Sequence, residues 1–271
     1  MGAVGFFTDT TICIGCKACE VACKEWNQLP DDGLFFTGMS YDNTGDLGAS
    51  TWRHVSFIER PVPLTGRETG LGNFSWLLMS DVCKHCQRAG CLEACPTGAI
   101  IRTEFDSVYV QPDICNGCGY CVVSCPFGVI DRREDDGRAW KCTLCYDRLK
   151  GDLTPACAKA CPTDSILFGD LDTLKEKARD RVERLHRHGV SEAYLYGLDE
   201  AGQPGTEGLN AFFLLVDKPE VYNLPPEPVA PAKTASPGWG AMALSVLGMA
   251  ALAVGAVLSV RNAPGSTEAE R

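Results

Sequence analysis

The sequence predicts an α+β chain in which two cysteine-rich units are nested one inside the other about a pseudo-two-fold axis, with a single C-terminal transmembrane helix. Three observations carry this. Sixteen cysteines fall into four compact groups. Three of those groups end in the same pattern, C-P-x-x-x-I, as "CPTGAI" (95–100), "CPFGVI" (125–130) and "CPTDSI" (161–166). Finally, residues 239–260, "WGAMALSVLGMAALAVGAVLSV", run for 22 residues without a charge.

The first group, "ICIGCKACEVACKEWN", packs Cys13, Cys16, Cys19 and Cys23 into eleven residues. The others hold Cys83, Cys86, Cys91 and Cys95; then Cys115, Cys118, Cys121 and Cys125; then Cys142, Cys145, Cys157 and Cys161. Groups one and three have the spacing C-x2-C-x2-C-x3-C, the second widens one gap to four residues and the fourth widens it to eleven. Disulfides do not need such spacing, because closing very small rings strains the bond. Zinc is the main structural alternative, but zinc sites use two separated ligand pairs around one ion, not four close cysteines repeated four times. The spacing suits cubic [4Fe–4S] clusters. Three cysteines on one turn grip three corners, and the fourth, usually followed by proline, reaches a neighbouring cluster. Proline fixes φ and removes an N–H there, which helps end the loop. Pro96, Pro126 and Pro162 follow the fourth cysteine in three groups, and Lys24 follows it in the first. Every cysteine is used, so the expected cofactors are four [4Fe–4S] clusters.

Composition agrees. A chain of 271 residues has room for one large or two small domains. Its start, "MGAVGFFTDTTIC", carries no basic, apolar leader, so folding is expected to begin in a reducing compartment where thiols hold metal. A formal charge of −10 argues against a nucleic-acid partner. Lys17, Lys24, Lys84, Arg88, Lys141, Arg148 and Lys159 lie among the cysteines and could offset thiolate charge; taken singly, each reads as a solvated surface charge.

The connection between groups two and three, "TGAIIRTEFDSVYVQPDIC", reads as two short strands, 100–103 and 108–110, about a turn at 106–107. That is the layout of a two-cluster bacterial ferredoxin, so these groups form an inner ferredoxin-like unit and exchange their fourth cysteines. Groups one and four then pair across it. Cluster A takes Cys13, Cys16, Cys19 and Cys161; cluster B takes Cys142, Cys145, Cys157 and Cys23. Cluster C takes Cys83, Cys86, Cys91 and Cys125; cluster D takes Cys115, Cys118, Cys121 and Cys95. With these ligands in place His85, inside a C-x2-C loop, is not needed as one, and His54, His186 and His188 read as surface or packing residues.

The remaining elements follow in order. Residues 24–82 read as a turn-rich insertion with a strand-like "WRHVSFIER", offering Trp26, Phe35, Phe36, Trp52 and Trp76 as cluster shielding or ordinary core. "SILFGD" reads as a strand, "LDTLKEKARDRVERLHRHG" as an amphipathic helix stopped at Gly189, and "AFFLLV" as a further buried strand. "NLPPEPVAPAKTASPG" is a proline-rich, semi-extended linker. The uncharged run behind it would span about 33 Å as a helix, enough for a hydrocarbon core of about 30 Å, with membrane lipid as its surroundings. Gly240, Gly248 and Gly255 would allow close packing on a partner helix, and Trp239 suits an interface. Lys233 before the span, and Arg261 and Arg271 after it, lean toward a cytoplasmic tail and an extracytoplasmic cluster domain. The chain thus divides into 1–76 (outer unit, first part), 77–130 (inner unit), 131–170 (outer unit, second part), 171–224 (helix and extended cap), 225–238 (linker), 239–260 (anchor) and 261–271 (polar tail).

No phosphate-binding glycine loop, G-x-S-x-G or H-E-x-x-H is present. Fully ligated clusters move single electrons and leave no substrate pocket, so the chain is expected to conduct rather than catalyse. The stretches "ICIGCKACEVACKEWN", "YDNTGDLGASTW", "CKHCQRAGCLEACP", "CNGCGYCVVSCPFGVI", "KCTLCYDRL", "PACAKACPTDSILFG" and "KPEVYNLP" make it resemble the iron–sulfur (beta) subunit of membrane-bound respiratory formate dehydrogenases, within the four-cluster subunits of molybdopterin oxidoreductases. The resemblance implies a catalytic alpha subunit with a molybdenum or tungsten bis-pterin that oxidises formate, and a membrane cytochrome b gamma subunit that passes electrons to quinone. It also implies location at the cytoplasmic membrane, after export on a twin-arginine signal carried by the catalytic partner. The cysteine framework alone also fits relatives serving nitrate, polysulfide or hydrogenase chemistry. The nitrate branch replaces one cluster cysteine by tryptophan, whereas all sixteen are intact here. The segment "RPVPLTGRETGLGNFSW" and the tail after Val260 depart from the family pattern. Two alternatives stand beside the formate wire: the equivalent subunit of a membrane hydrogenase, and a metal-stabilised scaffold that carries no current.

Overall fold

The structure is a computed structural model and describes residues 2–31, 33, 38, 41–60, 75–198 and 205–261, side chains excepted at 234–237 and 260–261. Phe35 and Phe36, most of "RPVPLTGRETGLGNFSW" and the tail from 262 lie outside the described residues. The elements run β1 (Val4–Asp9), α1 (Ala18–Asn27), β2 (Arg53–Arg60), β3 (Ser75–Val82), α2 (Gly90–Glu93), β4 (Ile100–Arg102) and β5 (Val108–Val110). There follow α3 (Tyr120–Val123), β6 (Asp131–Arg132), β7 (Ala139–Trp140), α4 (Tyr146–Lys150), α5 (Ala156–Lys159) and β8 (Ile166–Asp170). The last are α6 (Leu171–Arg187), β9 (Tyr194–Tyr196), β10 (Ala211–Leu215) and α7 (Pro231–Arg261).

A four-stranded sheet of order β8-β1-β10-β9 organises the cysteine-rich part. Strand β1 runs antiparallel to β8, with Phe6 opposite Phe168, and parallel to β10, with Phe7 opposite Phe212. Successive strand residues face opposite sides, and here the two sides differ in kind. Phe7 faces a core with Leu174, Ala178 and Leu185 of α6, whereas Phe6 faces a second core shared with Cys19, Cys23, Cys83, Cys142 and Cys157. Gly5 is required here, since a β-carbon on it would run into the Asn210 carbonyl, whose oxygen accepts from the Phe6 N–H at 2.8 Å.

Several sequence expectations reappear. β4 and β5 pair antiparallel about a turn in which Asp106 takes φ +62° and the Thr103 N–H donates to the Ser107 carbonyl. α6 starts at Asp170, whose carboxylate accepts from the Thr173 N–H, and stops before Gly189 at φ +86°. All five residues of β10 are buried, as a strand inside a two-sided sheet requires. β1 and β3 escaped the sequence reading. "VGFFTD" and "SWLLMSDV" are apolar runs without clear alternation, because β1 is covered on both faces.

One expectation is corrected. The semi-extended linker over 225–238 is helical from Pro231, the first residue of the 31-residue α7. Proline is favoured at that position, where its fixed φ suits a helix and its missing N–H would be unpaired anyway. The chain forms two compact units, Met1–Ala230 and Pro231–Arg271. Within α7 the 22-residue window Gly238–Ser259 is long and apolar enough to cross a membrane, and its Leu244, Leu247 and Leu252 side chains are exposed.

Candidate metal centres

Each cysteine group folds as a loop closed by a helical turn, and one backbone feature recurs. The residue just before the second cysteine is left-handed in all four loops: Gly15 at φ +67°, His85 at +43°, Gly117 at +72° and Leu144 at +58°. This turns the chain back so that consecutive cysteines converge. Two loops meet the requirement with glycine; the other two accept the strain of a side chain at positive φ, on the order of 1–2 kcal/mol each. After the loop, α1, α2, α3 and α5 carry the third cysteine of each group. The last three of these turns are built alike: Ala94 donates to Gly90, Ser124 to Tyr120 and Ala160 to Ala156.

The C-P-x-x-x-I repeat then has a physical role. Proline offers no N–H, and the residues behind it aim theirs at the fourth thiol. Burial opposes ionisation of Cys95, but bonds from the Thr97 side chain and from the Ile100, Thr97 and Ala99 N–H groups bring its pKa below the ordinary value. Cys125 receives the Val129 and Phe127 N–H groups in the same way, though burial still holds it above the ordinary value.

Thiols of different groups are electrostatic neighbours. Cys23 feels the charges of Cys157, Cys142 and Cys145. Cys86 feels Cys83, Cys125 and Cys91, and Cys121 feels Cys115, Cys118 and Cys95. Cys13 feels Cys161 and Cys16, while Cys19 is most strongly coupled to Arg53, Ser80 and Cys157. Helix α1 packs on α5, and α2 on α3. All sixteen thiols are free. Burial pushes the thiols of Cys19, Cys121 and Cys145 up to about 11 and that of Cys91 to about 12, so a bound cation is needed to hold them as thiolates at neutral pH.

The donor set fits a cluster. Cys83, Cys86, Cys91 and Cys125 line one small cavity, with Val108, Phe127, Val129 and Ile130 as apolar walls. Among the described residues, no three His, Cys, Asp or Glu side chains converge on a single-ion site. The thiols surround a volume instead of a point. His85 lines the same cavity with Nδ1 turned away, accepting from the Val108 N–H at 3.1 Å. His54 is buried against Asp42, and His186 bonds the Ala193 carbonyl at 2.7 Å.

The reading of scattered cations as solvated surface charge fails at three positions. Lys84, Lys141 and Arg148 are buried. Lys84 pairs with Asp81, Lys141 donates to the Cys142 carbonyl at 3.0 Å, and Arg148 donates to the Thr154 carbonyl while stacking 4.2 Å from the Trp26 ring. Each lies beside a cysteine loop whose thiolates would be the neighbouring negative charge. Arg53, which the sequence reading passed over, is the largest fully buried side chain among the described residues and donates to Cys157 Sγ at 3.3 Å. Its signal was available, since alternation in β2 puts it on the same face as buried Val55. Of the shielding aromatics, Trp52 is buried among the thiols and stacks on Trp140, Trp76 packs edge-on to Phe57, and Trp26 is 44% exposed.

Comparison with known proteins agrees with this chemistry. Residues 12–99 and 74–171 each match a 4Fe-4S dicluster domain. The chain is 40% identical over 224 residues to the nitrate-inducible formate dehydrogenase iron–sulfur subunit of Escherichia coli (strain K12), covering 81% of this chain and 71% of that protein. It is 42% identical to the formate dehydrogenase iron–sulfur subunit of Haemophilus influenzae, over 81% and 68%. It is also 32% identical to the B subunit of the anaerobic dimethyl sulfoxide reductase of E. coli, over 65% and 78%. The dicluster domains and sixteen cysteines provide for four [4Fe–4S] clusters. With thiol-lined, two-sided ferredoxin-like cores and these relatives, the chain belongs to the iron–sulfur subunits of formate dehydrogenase, electron-transfer subunits that are not catalytic alone.

Proposed function

We propose that the chain relays electrons from a formate-oxidising molybdenum- or tungsten-pterin subunit to a membrane cytochrome b subunit and quinone, using the ligand sets A to D in a line. Each cluster would carry one electron at a time. The observation that supports the line is the order of thiol neighbours across sets. Cys19 of A couples to Cys157 of B, Cys142 of B to Cys83 of C, and Cys91 of C to Cys121 of D. The ends of this order are open: Cys16 in A and Cys118 in D are exposed, and no thiol of B or C is. Exposed apolar side chains flank both ends, Ile14 and Val21 beside Cys16, and Ile114, Tyr120 and Val123 beside Cys118. Such patches suit docking partners, so one end would meet the catalytic subunit and the other the membrane subunit.

The proposed division keeps groups two and three as an inner unit and groups one and four as an outer one, related by a pseudo-two-fold axis; the pairing of α2 with α3 and of α1 with α5 supports it. Residues 239–260 would span the cytoplasmic membrane, with the cluster unit on the extracytoplasmic side. The test uses the purified complex, handled without oxygen. Four one-electron EPR transitions and electron transfer from formate to quinone are expected. Cys118→Ser should lose or convert one transition and slow transfer. Transfer at the wild-type rate with that transition gone would defeat the relay.

A further inference from the structure

Two buried cations near the thiols have no carboxylate partner among the described residues. Arg53 is 1% exposed. One of its terminal nitrogens donates to Cys157 Sγ at 3.3 Å; the other donates to the Ser80 carbonyl at 3.2 Å and approaches Ser80 Oγ at 3.4 Å. Ser80 Oγ in turn lies 3.2 Å from Cys19 Sγ. The guanidinium stacks 4.8 Å from the Phe6 ring, and its Nε has no partner. Lys141 is 2% exposed, donates to the Val108 and Cys142 carbonyls and to Cys83, and is surrounded by the charges of Cys83, Cys91 and Cys142. Lys84 is different, because Asp81 neutralises it.

A cation buried without a counter-charge is strongly disfavoured. Arg53 and Lys141 therefore point to the negative charge that belongs beside them, that of the thiolate-held clusters. Their positions are not equivalent. Arg53 touches Cys157 and faces Cys19 and Cys142, so it sits between sets A and B. Lys141 faces Cys142, Cys83 and Cys91, so it sits between B and C. Set C faces Lys141 and the Asp81-paired Lys84, whereas both cations flanking set B lack a carboxylate partner among the described residues.

We propose that Arg53 and Lys141 act together to raise the reduction potential at set B, making it the position in the relay where an added electron is most stabilised by fixed positive charge. The proposal rests on the ligand sets above. Neither side chain needs to gain or lose a proton; each favours the reduced state because that state carries one more negative charge.

The test is an EPR-monitored redox titration of the intact complex carrying Arg53→Met, Lys141→Met or Arg53→Lys. Each methionine variant should move two of the four midpoints to more negative values, and a single one of the moved midpoints should be common to both. For that shared transition the oxidised-to-reduced ratio at a fixed potential should rise on the order of tenfold, which is about 59 mV for one electron. Arg53→Lys, which keeps the charge, should shift it less. Shifts confined to two disjoint pairs of transitions, no shift in either methionine variant, or an Arg53→Lys shift as large as that of Arg53→Met would each overturn the proposal. If Arg53→Met does not load four clusters, Lys141→Met and Arg53→Lys carry the test: Lys141→Met leaving every midpoint in place, or Arg53→Lys moving a midpoint as far as Lys141→Met does, overturns it. Wild-type complex with fewer than four clusters would instead overturn the relay reading itself.

Discussion

Around Cys23 the four thiols of set B are only 4–7% exposed, under β2 with Arg53 on one side and Lys141 on the other. Around Cys121 the loop has the same left-handed residue before its second cysteine, yet Cys118 is exposed, Cys95 and Cys115 are half-buried, and the cover is the short β6–β7 hairpin, whose Ala139 N–H reaches Cys115 Sγ at 3.4 Å. The left-handed residue that turns the chain back is thus common to both loops. Water access and charge are set by what packs over the loop. A relay needs both kinds of site, since buried positions keep water from the middle while exposed ones let partners approach within electron-transfer range.

The sharpest way to break this comparison is to remove one ligand from each kind of site. Cys142→Ser should cost set B its cluster and, because the hydroxyl is buried in a core shared with Phe6, Trp52 and Val82, lower the thermal midpoint of the whole unit. Cys118→Ser should change one EPR transition and leave the thermal midpoint nearly unchanged. Iron content with calorimetry on both variants checks this; equal destabilisation would erase the distinction.

Next in size is Asp81→Asn, which leaves buried Lys84 without its counter-charge and should destabilise the unit by about 3 kcal/mol, read from denaturant unfolding. Gly117→Ala acts at the exposed end. It puts a side chain at φ +72° and drives the β-carbon toward the Gly137 carbonyl, so about 1–3 kcal/mol of destabilisation and loss of the set D transition are expected, with the other three transitions retained.

A last test reads the burial of the thiols through pH. In the metal-free chain, burial raises the thiols of Cys19 and Cys145 from about 9 to about 11 and that of Cys91 to about 12. Above pH 9 the unfolded chain binds fewer protons than the folded one, so stability falls as pH rises from about 9 to 12. The loaded protein should lack this slope, because iron already holds the thiols ionised. Denaturant midpoints across that range, with and without iron, check the sign.

Much of this was legible in the sequence. The cysteine spacing, the β4–β5 hairpin, α6 with its Gly189 stop and the apolar run of α7 are local signals, readable because neighbours in sequence decide them. Three things were not. Strand β1 pairs with residues more than 150 positions away, and its two-sided burial removes the alternation that marks a strand. The linker expectation weighed the proline content of 225–238 more than the helix-compatible place of Pro231. Lysines and arginines among the cysteines have the same sequence signature whether solvated or buried, so Lys84, Lys141, Arg148 and Arg53 had to be seen in place.

By itself, then, the sequence determined which atoms can hold metal, how many clusters they suit, and that a long apolar helix follows, because thiol spacing and unbroken hydrophobicity are properties of contiguous residues. Only the tertiary structure decided which thiols face water and which cations stand beside them. Those outcomes depend on strands and helices distant in the chain closing over one another, and burial turns an ordinary side-chain charge into a field that a buried thiolate cannot escape.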